Sequence, residues 1–467
     1  LLIRRAEIEG RGPWDLRLTA GRVAAVDTTL DRLPDEVVLD AAGGALLPGL
    51  HDHHLHLLAL AAARSSLPCG PPSVRRAEDL GAALRTAARA APAGAWLRGV
   101  GYHESVAGAL DRTRLDAWVT ERPVRIQHRS GALWVVNSAG ARRLGIDAAG
   151  DCPGIERDAS GRATGRLYRA DRWLRERLGP APPPDLSAVG RDLAARGVTG
   201  MTDATPGNTA AELGLFSAAV ATGALPQRLV VMGCLALPEP SDPRIARGAL
   251  KIVLDERDLP AFDALCEELA RAHAEDRPVA VHCVTRAELV LAVGAFAAAG
   301  ARAGDRIEHA SIAPPDVLKL LADLPLTVVT QPNFVRERGD AYAVEVEPAD
   351  RPWLYRCRGF DAAAVPLGGG TDAPFGEPDP WAAMRAAVDR HSAGGLTLGA
   401  AESLDPERAL ALFTSPAAAP GAAPRRVGIG APADLCLLDR PWSLARERLC
   451  PELVAATLCE GRVVYRA

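Results

Sequence analysis

The sequence predicts an α/β fold: a (β/α)8 TIM barrel with a small β-sandwich built from both ends of the chain and one insertion after the first barrel strand. Three observations predict it. From residue 186 onward, short apolar runs alternate with Ala-, Leu- and Arg-rich helical stretches, the rhythm of βα units on a buried parallel sheet. Both ends of the chain instead carry short β-like runs broken at Gly and Pro, which is strand-and-turn texture. Polar side chains recur at the C-terminal ends of the candidate barrel strands, where barrel enzymes place their reacting groups.

Residues 1–46 contain LLIRRAEIEG, DLRLTAGRVAAVD and EVVLDAAGGALL, and residues 425–467 contain ADLCLLDRPW and LVAATLCEGRVVYRA. These two segments are expected to meet in one sandwich. ALLPGLHDHHLH (45–56) is expected as the first barrel strand, with 47–63 forming that strand and its loop. The stretch 64–184 breaks the rhythm and ends in GPAPPPD, so it reads as an inserted α/β subdomain near the barrel mouth, closed by a stiff Pro-rich linker. The rest of the barrel is assigned to 185–424, with strands at 197–204, 227–233, 249–255, 278–284, 305–310, 326–332 and 365–373 and helices such as 261–275 between them.

Composition narrows the function. With 48% hydrophobic and 24% charged residues, the chain of 467 residues is globular,. Its 54 basic and 58 acidic residues give a net charge of -4, which argues against a nucleic-acid groove or a polybasic membrane surface. No GxxxxGK[ST] loop is present, so a nucleotide phosphate is not indicated, and a small-molecule substrate is the expected partner. Nine cysteines, at 69, 152, 234, 266, 283, 357, 436, 450 and 459, form no CxxC pair and read as free thiols in a reducing cytoplasm. No apolar run reaches the ~20 residues of a membrane span. LLIRRAEIEG lacks the features of a leader, and the absence of an initiator Met is read as a trimmed start.

The chemistry is concentrated in HDHHLH. Side chains two apart on an extended chain share a face, so His54 and His56 can converge on one ion, as can the rival pair His51 and His53 on the other face. The first pair lies nearer the strand's exit and is preferred; an HxH pair suits Zn²⁺ or a similar divalent ion. His282 in PVAVHCV and His309 in DRIEHA each end a later strand, and Asp372 in GGGTDAPFG follows three glycines that leave its carboxylate close to the barrel axis. Asp372 is expected as ligand and proton shuttle, against the alternative of a helix N-cap. Only Lys251 and Lys319 are lysine, and Lys251 falls inside a candidate barrel strand. There it could add CO₂ and become an anionic carbamate ligand, or pair with Asp255 or Asp203.

Taken in order, these residues resemble the amidohydrolase superfamily, in the family 3 branch that includes N-substituted formamide deformylases. The resemblance runs from PGLHDHHLHL through RPVRIQHRSGALWVVNSAG, KIVLDE, VAVHC, RIEHA and TQPNF to GGTDAPFGEPDPW. It implies that His54, His56, Lys251, His282, His309 and Asp372 hold one or two divalent ions, zinc first, with Lys251 carboxylated in the binuclear form, and that the protein is a homodimer. The chain departs from the family at Ala132, where a His is common, and at Asp255 and Glu256, where Asp-Gly is common. The reaction expected is hydrolysis of a non-peptide C–N bond by metal-activated water, with Asp372 shuttling the proton and His282 or His309 stabilising the oxyanion. Tyr102, His128, Arg129, Trp134, Gln331, Asn333 and Phe334 are candidate substrate contacts, and Asp379 with Pro380 is expected to cap a helix. Deaminase, lyase or ester chemistry at the same site, and a scaffold without metal, are the competing readings.

Overall fold

The computed structural model describes residues 1–92, 94–150, 154–179 and 182–467. Cys152, and Pro180 and Ala181 of the GPAPPPD run, lie outside the described residues. The chain forms two compact units, Leu1–Leu57 with Leu186–Ala467, and Leu58–Asp185.

The first unit holds eight parallel strands in chain order: β1 Leu50–Leu55, β2 Val198–Asp203, β3 Arg228–Gly233, β4 Ile245–Val253, β5 Val279–Cys283, β6 Arg306–His309, β7 Thr327–Thr330 and β8 Leu367–Gly369. Each of the apolar runs expected as barrel strands overlaps one of them, and all but 249–255, whose strand already begins at Ile245, contain it whole. Helices fill the connections; Phe262–Ala274, for example, buries Leu265, Leu269 and Ala272 and exposes its acidic face. The fold class is therefore a (β/α)8 barrel with an added sheet domain.

The ring closes between β1 and β8 through a seam. The Asp372 N–H donates to the His54 carbonyl and the His56 N–H to the Ala373 carbonyl, both at 2.8 Å. The buried Asp52 carboxylate accepts from the Thr371 N–H at 3.0 Å, the Thr371 hydroxyl at 2.6 Å and the His54 N–H at 3.1 Å. Gly370 permits this approach, because a Cβ there would sit 2.6 Å from the His54 Cβ,. Gly370→Ala is accordingly expected to destabilise the fold by about 1–3 kcal/mol, the usual range for overpacking. A denaturation midpoint equal to that of the wild type would mean that the seam yields freely.

One strand differs from the sequence reading. The run 45–56 is two strands: Leu46–Pro48 pairs antiparallel with Leu435–Leu438 in the sandwich, and only Leu50–Leu55 enters the barrel. Pro48 cannot continue a ladder as a donor, and a Cβ at Gly49 would run into the Thr199 side chain. Both pieces are buried, so their apolar pattern is continuous in the sequence.

The sandwich joins the two ends of the chain. One sheet has the order Arg22–Asp27, Arg11–Thr19, Leu2–Ile8, Val38–Asp40; the other has Arg462–Arg466, Val454–Cys459, Leu435–Leu438, Leu46–Pro48. Ile3, Leu16 and Leu18 from the first pack against Leu46, Leu435, Leu437 and Leu458 from the second.

The second unit carries a six-stranded sheet ordered Ile155–Arg157, Ala163–Tyr168, Leu133–Val136, Val124–His128, Leu97–Tyr102, Leu67–Pro68. One cluster, including Leu80, Leu84, Ile126 and Val135, covers one side, and a second, with Trp134, Leu144 and Leu167, covers the other. No helix among the described residues is long and apolar enough to cross a membrane.

Candidate metal centre

His54 and His56 lie two residues apart at the exit of β1, so their imidazoles turn the same way. Their ring centroids are 5.4 Å apart, His54 is 4.8 Å from His309, and His309 is 4.4 Å from His282 in an edge-on contact. Asp372, just beyond β8, completes the group. Its Oδ1 is 3.4 Å from His54 Nε2 and 3.2 Å from His56 Nε2. One ligand atom each from His54, His309 and Asp372 falls within 4.8 Å of the others. The structure thus brings together His54, His56, His282, His309 and Asp372.

The outer nitrogens of three of these rings are occupied. His54 Nδ1 bonds the Glu308 carboxylate, His56 Nδ1 meets the Thr205 hydroxyl at 2.9 Å, and His309 Nδ1 meets Gln331 Oε1 at 2.6 Å. A carboxylate or amide oxygen can only accept, so Nδ1 of His54 and His309 carries the proton and Nε2 presents a lone pair. Such partners orient metal-binding imidazoles and fix their tautomer. Burial depresses the pKa of His309 to about 3 and lowers that of His54, which keeps both rings neutral and able to coordinate.

Glu308 was not singled out in the sequence, where a glutamate two residues after an Arg in a short strand resembles any polar residue. In the barrel it is fully buried. Burial opposes its charge, but Arg306, Lys251 and His54 hold its carboxyl well below the ordinary range. Glu308 and His309 are consecutive, yet both reach His54. Alternation would send them to opposite faces; His309 instead has φ +69°, and Asp372 has φ +57°. Two non-glycine residues in the left-handed region at one site are a local strain that functional centres commonly retain. Burial also opposes ionisation of Asp372, but the hydrogen bond from His56 draws its carboxyl below the usual carboxylate range.

Lys251 lies in β4 and is buried, and its Nζ has no hydrogen-bond partner among the described residues. Burial pushes it down to about 8, against the pull of Glu308. It does not form the salt bridges weighed for it. Asp255 takes the Arg257 guanidinium at 2.9 Å, and Asp203 accepts from Asn208 Nδ2 at 2.7 Å. A buried amine left without a partner is costly. Imidazole lone pairs, a carboxylate and this amine make a donor set that fits a divalent ion.

The rival pair faces elsewhere: His51 Nε2 meets the Thr202 hydroxyl at 3.0 Å and His53 Nε2 the Ser415 hydroxyl at 2.9 Å. Asp379, not Asp372, caps the helix Pro380–Asp389, accepting from the Trp381 N–H at 3.0 Å.

The candidate substrate contacts divide. Gln331 is buried and holds His309, so it positions an imidazole where a substrate contact was expected. Asn333 is also buried, with Nδ2 donating to Glu337 Oε1 and to the Thr371 carbonyl, each at 3.0 Å. Phe334 differs from expectation as a buried core residue packed with Val335, Leu354 and Tyr355; Tyr102, His128, Arg129 and Trp134 lie in the second unit. Tyr102 differs from expectation: it is a core residue whose hydroxyl donates to the Gly108 carbonyl at 2.6 Å. Trp134 is likewise buried, with Nε1 donating to Asp171 at 2.8 Å. His128 meets Glu104 at 2.9 Å and the Ser130 hydroxyl at 2.7 Å, and the Arg129 N–H donates to the Tyr102 carbonyl at 2.8 Å.

Similarity to known proteins agrees with this geometry. The amidohydrolase family model matches residues 37–465. N-substituted formamide deformylase of Arthrobacter pascens is 27% identical, over 96% of this chain and 94% of its own. The fold is shared with an uncharacterized metal-dependent hydrolase from Pyrococcus furiosus, at a TM-score of 0.70 and 21% identity, covering 94% of this chain and 98% of that one. A second such hydrolase, from Pyrococcus horikoshii OT3, has a TM-score of 0.70 and 20% identity over 97% and 96% of the two chains. The chain belongs to the amidohydrolase family, in its family 3 branch, and is a metal-dependent hydrolase acting on carbon–nitrogen bonds.

Proposed function

We propose that the chain hydrolyses an amide, a cyclic amide or a related non-peptide C–N bond of a small molecule, adding water to give a carboxylic acid and an amine. The observation that supports this reading is the convergence of His54, His56 and His309 on the Asp372 carboxylate. His54, His56, Lys251, His282, His309 and Asp372 would hold one or two divalent ions, zinc first among them. When bound, such an ion supplies a Lewis acid for the carbonyl and acidifies water. Asp372 accepts the proton of the attacking water and delivers it to the leaving nitrogen, a base that becomes an acid. His309 spends its only N–H on Gln331, so the developing oxyanion is assigned to His282 in the form in which that ring is not a metal ligand. Lys251 is assigned the carbamate: its neutral amine forms a bond to the carbon of CO₂ and releases a proton. The free thiols of Cys69, Cys283, Cys357 and Cys436 are buried, which suits the reducing cytoplasm proposed for this enzyme.

Amine and ammonia release should be measured over amides, cyclic amides and amino-heterocycles with metal-loaded protein. Amide cleavage is expected. Ammonia from heterocycles alone would move the assignment to deamination, and no turnover with metal bound would overturn it. Elemental analysis should find about two equivalents of metal per chain, falling to one or fewer in Lys251→Ala; one equivalent in both proteins would remove the bridging carbamate.

A further inference from the structure

In the second unit the strands Leu67–Pro68, Leu97–Tyr102 and Val124–His128 run parallel. Tyr102 and His128 are register partners at the C-terminal ends of the last two, the end at which open parallel sheets bind their ligands. Two chain exits therefore lie side by side. After His128 the chain turns at once: the Gly131 N–H donates to the His128 carbonyl at 2.9 Å, and Gly131 takes a left-handed φ of +76°,. Ser130 stands on this turn. The Arg129 N–H donates to the Tyr102 carbonyl at 2.8 Å, which fixes the turn against the other exit, where Glu104 opens the short helix Glu104–Ala107.

Three side chains meet across these exits. Ser130 Oγ lies 2.7 Å from His128 Nδ1, and His128 Nε2 lies 2.9 Å from Glu104 Oε2. The direction of each hydrogen bond is fixed. The Ser130 backbone N–H, 3.1 Å from His128 Nδ1, can only donate, so Nδ1 carries a lone pair and the proton of the neutral ring sits on Nε2. Nε2–H therefore donates to Glu104, and the Ser130 hydroxyl donates to Nδ1. Burial lowers the His128 pKa against the pull of Glu104, which keeps the ring in this neutral form at pH 7. The Ala132 N–H reaches Ser130 Oγ at 3.3 Å, beside the place where an oxyanion would form on a carbon bonded to that oxygen. Ser130 and Glu104 are exposed, whereas the His128 side chain is 15% exposed. The hydroxyl is open to a reagent while its base is largely shielded from water.

A hydroxyl, an imidazole whose lone pair receives its proton and a carboxylate that holds the imidazole together make an activated nucleophile. We propose that Ser130, His128 and Glu104 form a second hydrolytic centre, independent of metal, that cleaves small carboxylic esters with good leaving groups. Ser130 Oγ bonds the acyl carbon as its proton passes to His128 Nδ1. The bond from that carbon to the leaving oxygen breaks, and the alcohol departs with the proton. Water then adds to the acyl group on Ser130 and gives a proton to His128. The bond to Oγ breaks, the carboxylic acid leaves and the proton returns to Oγ. Glu104 touches only the imidazole and is a positioning residue.

The test treats the full-length protein, metal-loaded and chelator-treated, with a fluorophosphonate, which loses fluoride to a nucleophilic serine, and locates the adduct by peptide mass. Hydrolysis of 4-nitrophenyl acetate is followed in parallel. An adduct on Ser130 is expected in both forms and is lost in Ser130→Ala. In His128→Gln the labelling rate per folded chain should fall by about 10²- to 10⁴-fold, the usual worth of a general base. Glu104→Gln should also slow labelling, and Glu104→Asp should recover part of the rate, which keeping the turn folded would not by itself achieve. No adduct on Ser130 in either form, or labelling at an unchanged rate in His128→Gln, would overturn the proposal. Ester hydrolysis that vanishes with the metal while Ser130 stays unlabelled would also overturn it and assign that activity to the metal centre.

Discussion

Replacing Asp372 by asparagine is expected to lower kcat by at least about 10³-fold, toward the upper end of what one general acid–base group contributes. Asparagine keeps the size of the side chain but cannot take a proton from water and return it to a leaving nitrogen. The fold should survive, because Asp372 closes the barrel seam through its backbone N–H and not through its carboxylate. Turnover of a cleaved amide, metal content and denaturation midpoint should be measured on the same preparation. Wild-type turnover by a metal-loaded Asp372→Asn protein would remove Asp372 from the proton-transfer role.

The second large effect is expected at Glu308. Its carboxylate bonds Arg306 and His54 Nδ1, and Lys251 is charge-coupled to it. Glu308→Gln leaves the buried Arg306 guanidinium without its anion, a loss of about 3–5 kcal/mol for a broken buried pair. It also removes the group that orients His54, which elsewhere costs about 10- to 100-fold in metal affinity. The two effects can be separated. In Glu308→Gln with Arg306→Met, much of the lost stability should return while the metal dissociation constant stays raised. Unchanged metal affinity in Glu308→Gln would show that His54 is oriented without it.

The contrast between Glu308 and Lys251 explains how much of the centre could be read from the sequence. Lys251 stood out because arginine supplies nearly all other basic residues. Seven barrel strands were legible because strands buried on both faces read as unbroken apolar runs. That same continuity fused Leu46–Pro48 with Leu50–Leu55, since neither piece alternates. His54, His56, His309 and Asp372 were legible as metal-binding residue types at strand exits. Glu308 and Gln331 were not, because their roles depend on which neighbour they meet. For Glu308 that neighbour is reached beside His309 only through the left-handed backbone at His309, and no periodicity rule anticipates this.

The seam between β1 and β8 also sets the order in which the centre can be assembled. Asp372, just beyond β8, follows His54 and His56 by more than 300 residues in the chain. Until that strand docks, the imidazoles of the first strand line an open sheet edge and their carboxylate does not yet exist beside them. Ring closure and completion of the donor set are thus one event, because the same seam that joins β1 to β8 brings Asp372 beside His54 and His56. An ion held by His54, His56 and Asp372 would act as a clasp across the join, and its removal is expected to loosen the cylinder along this line first, where amide protons of His56 and Asp372 should exchange ahead of those in β4 and β5.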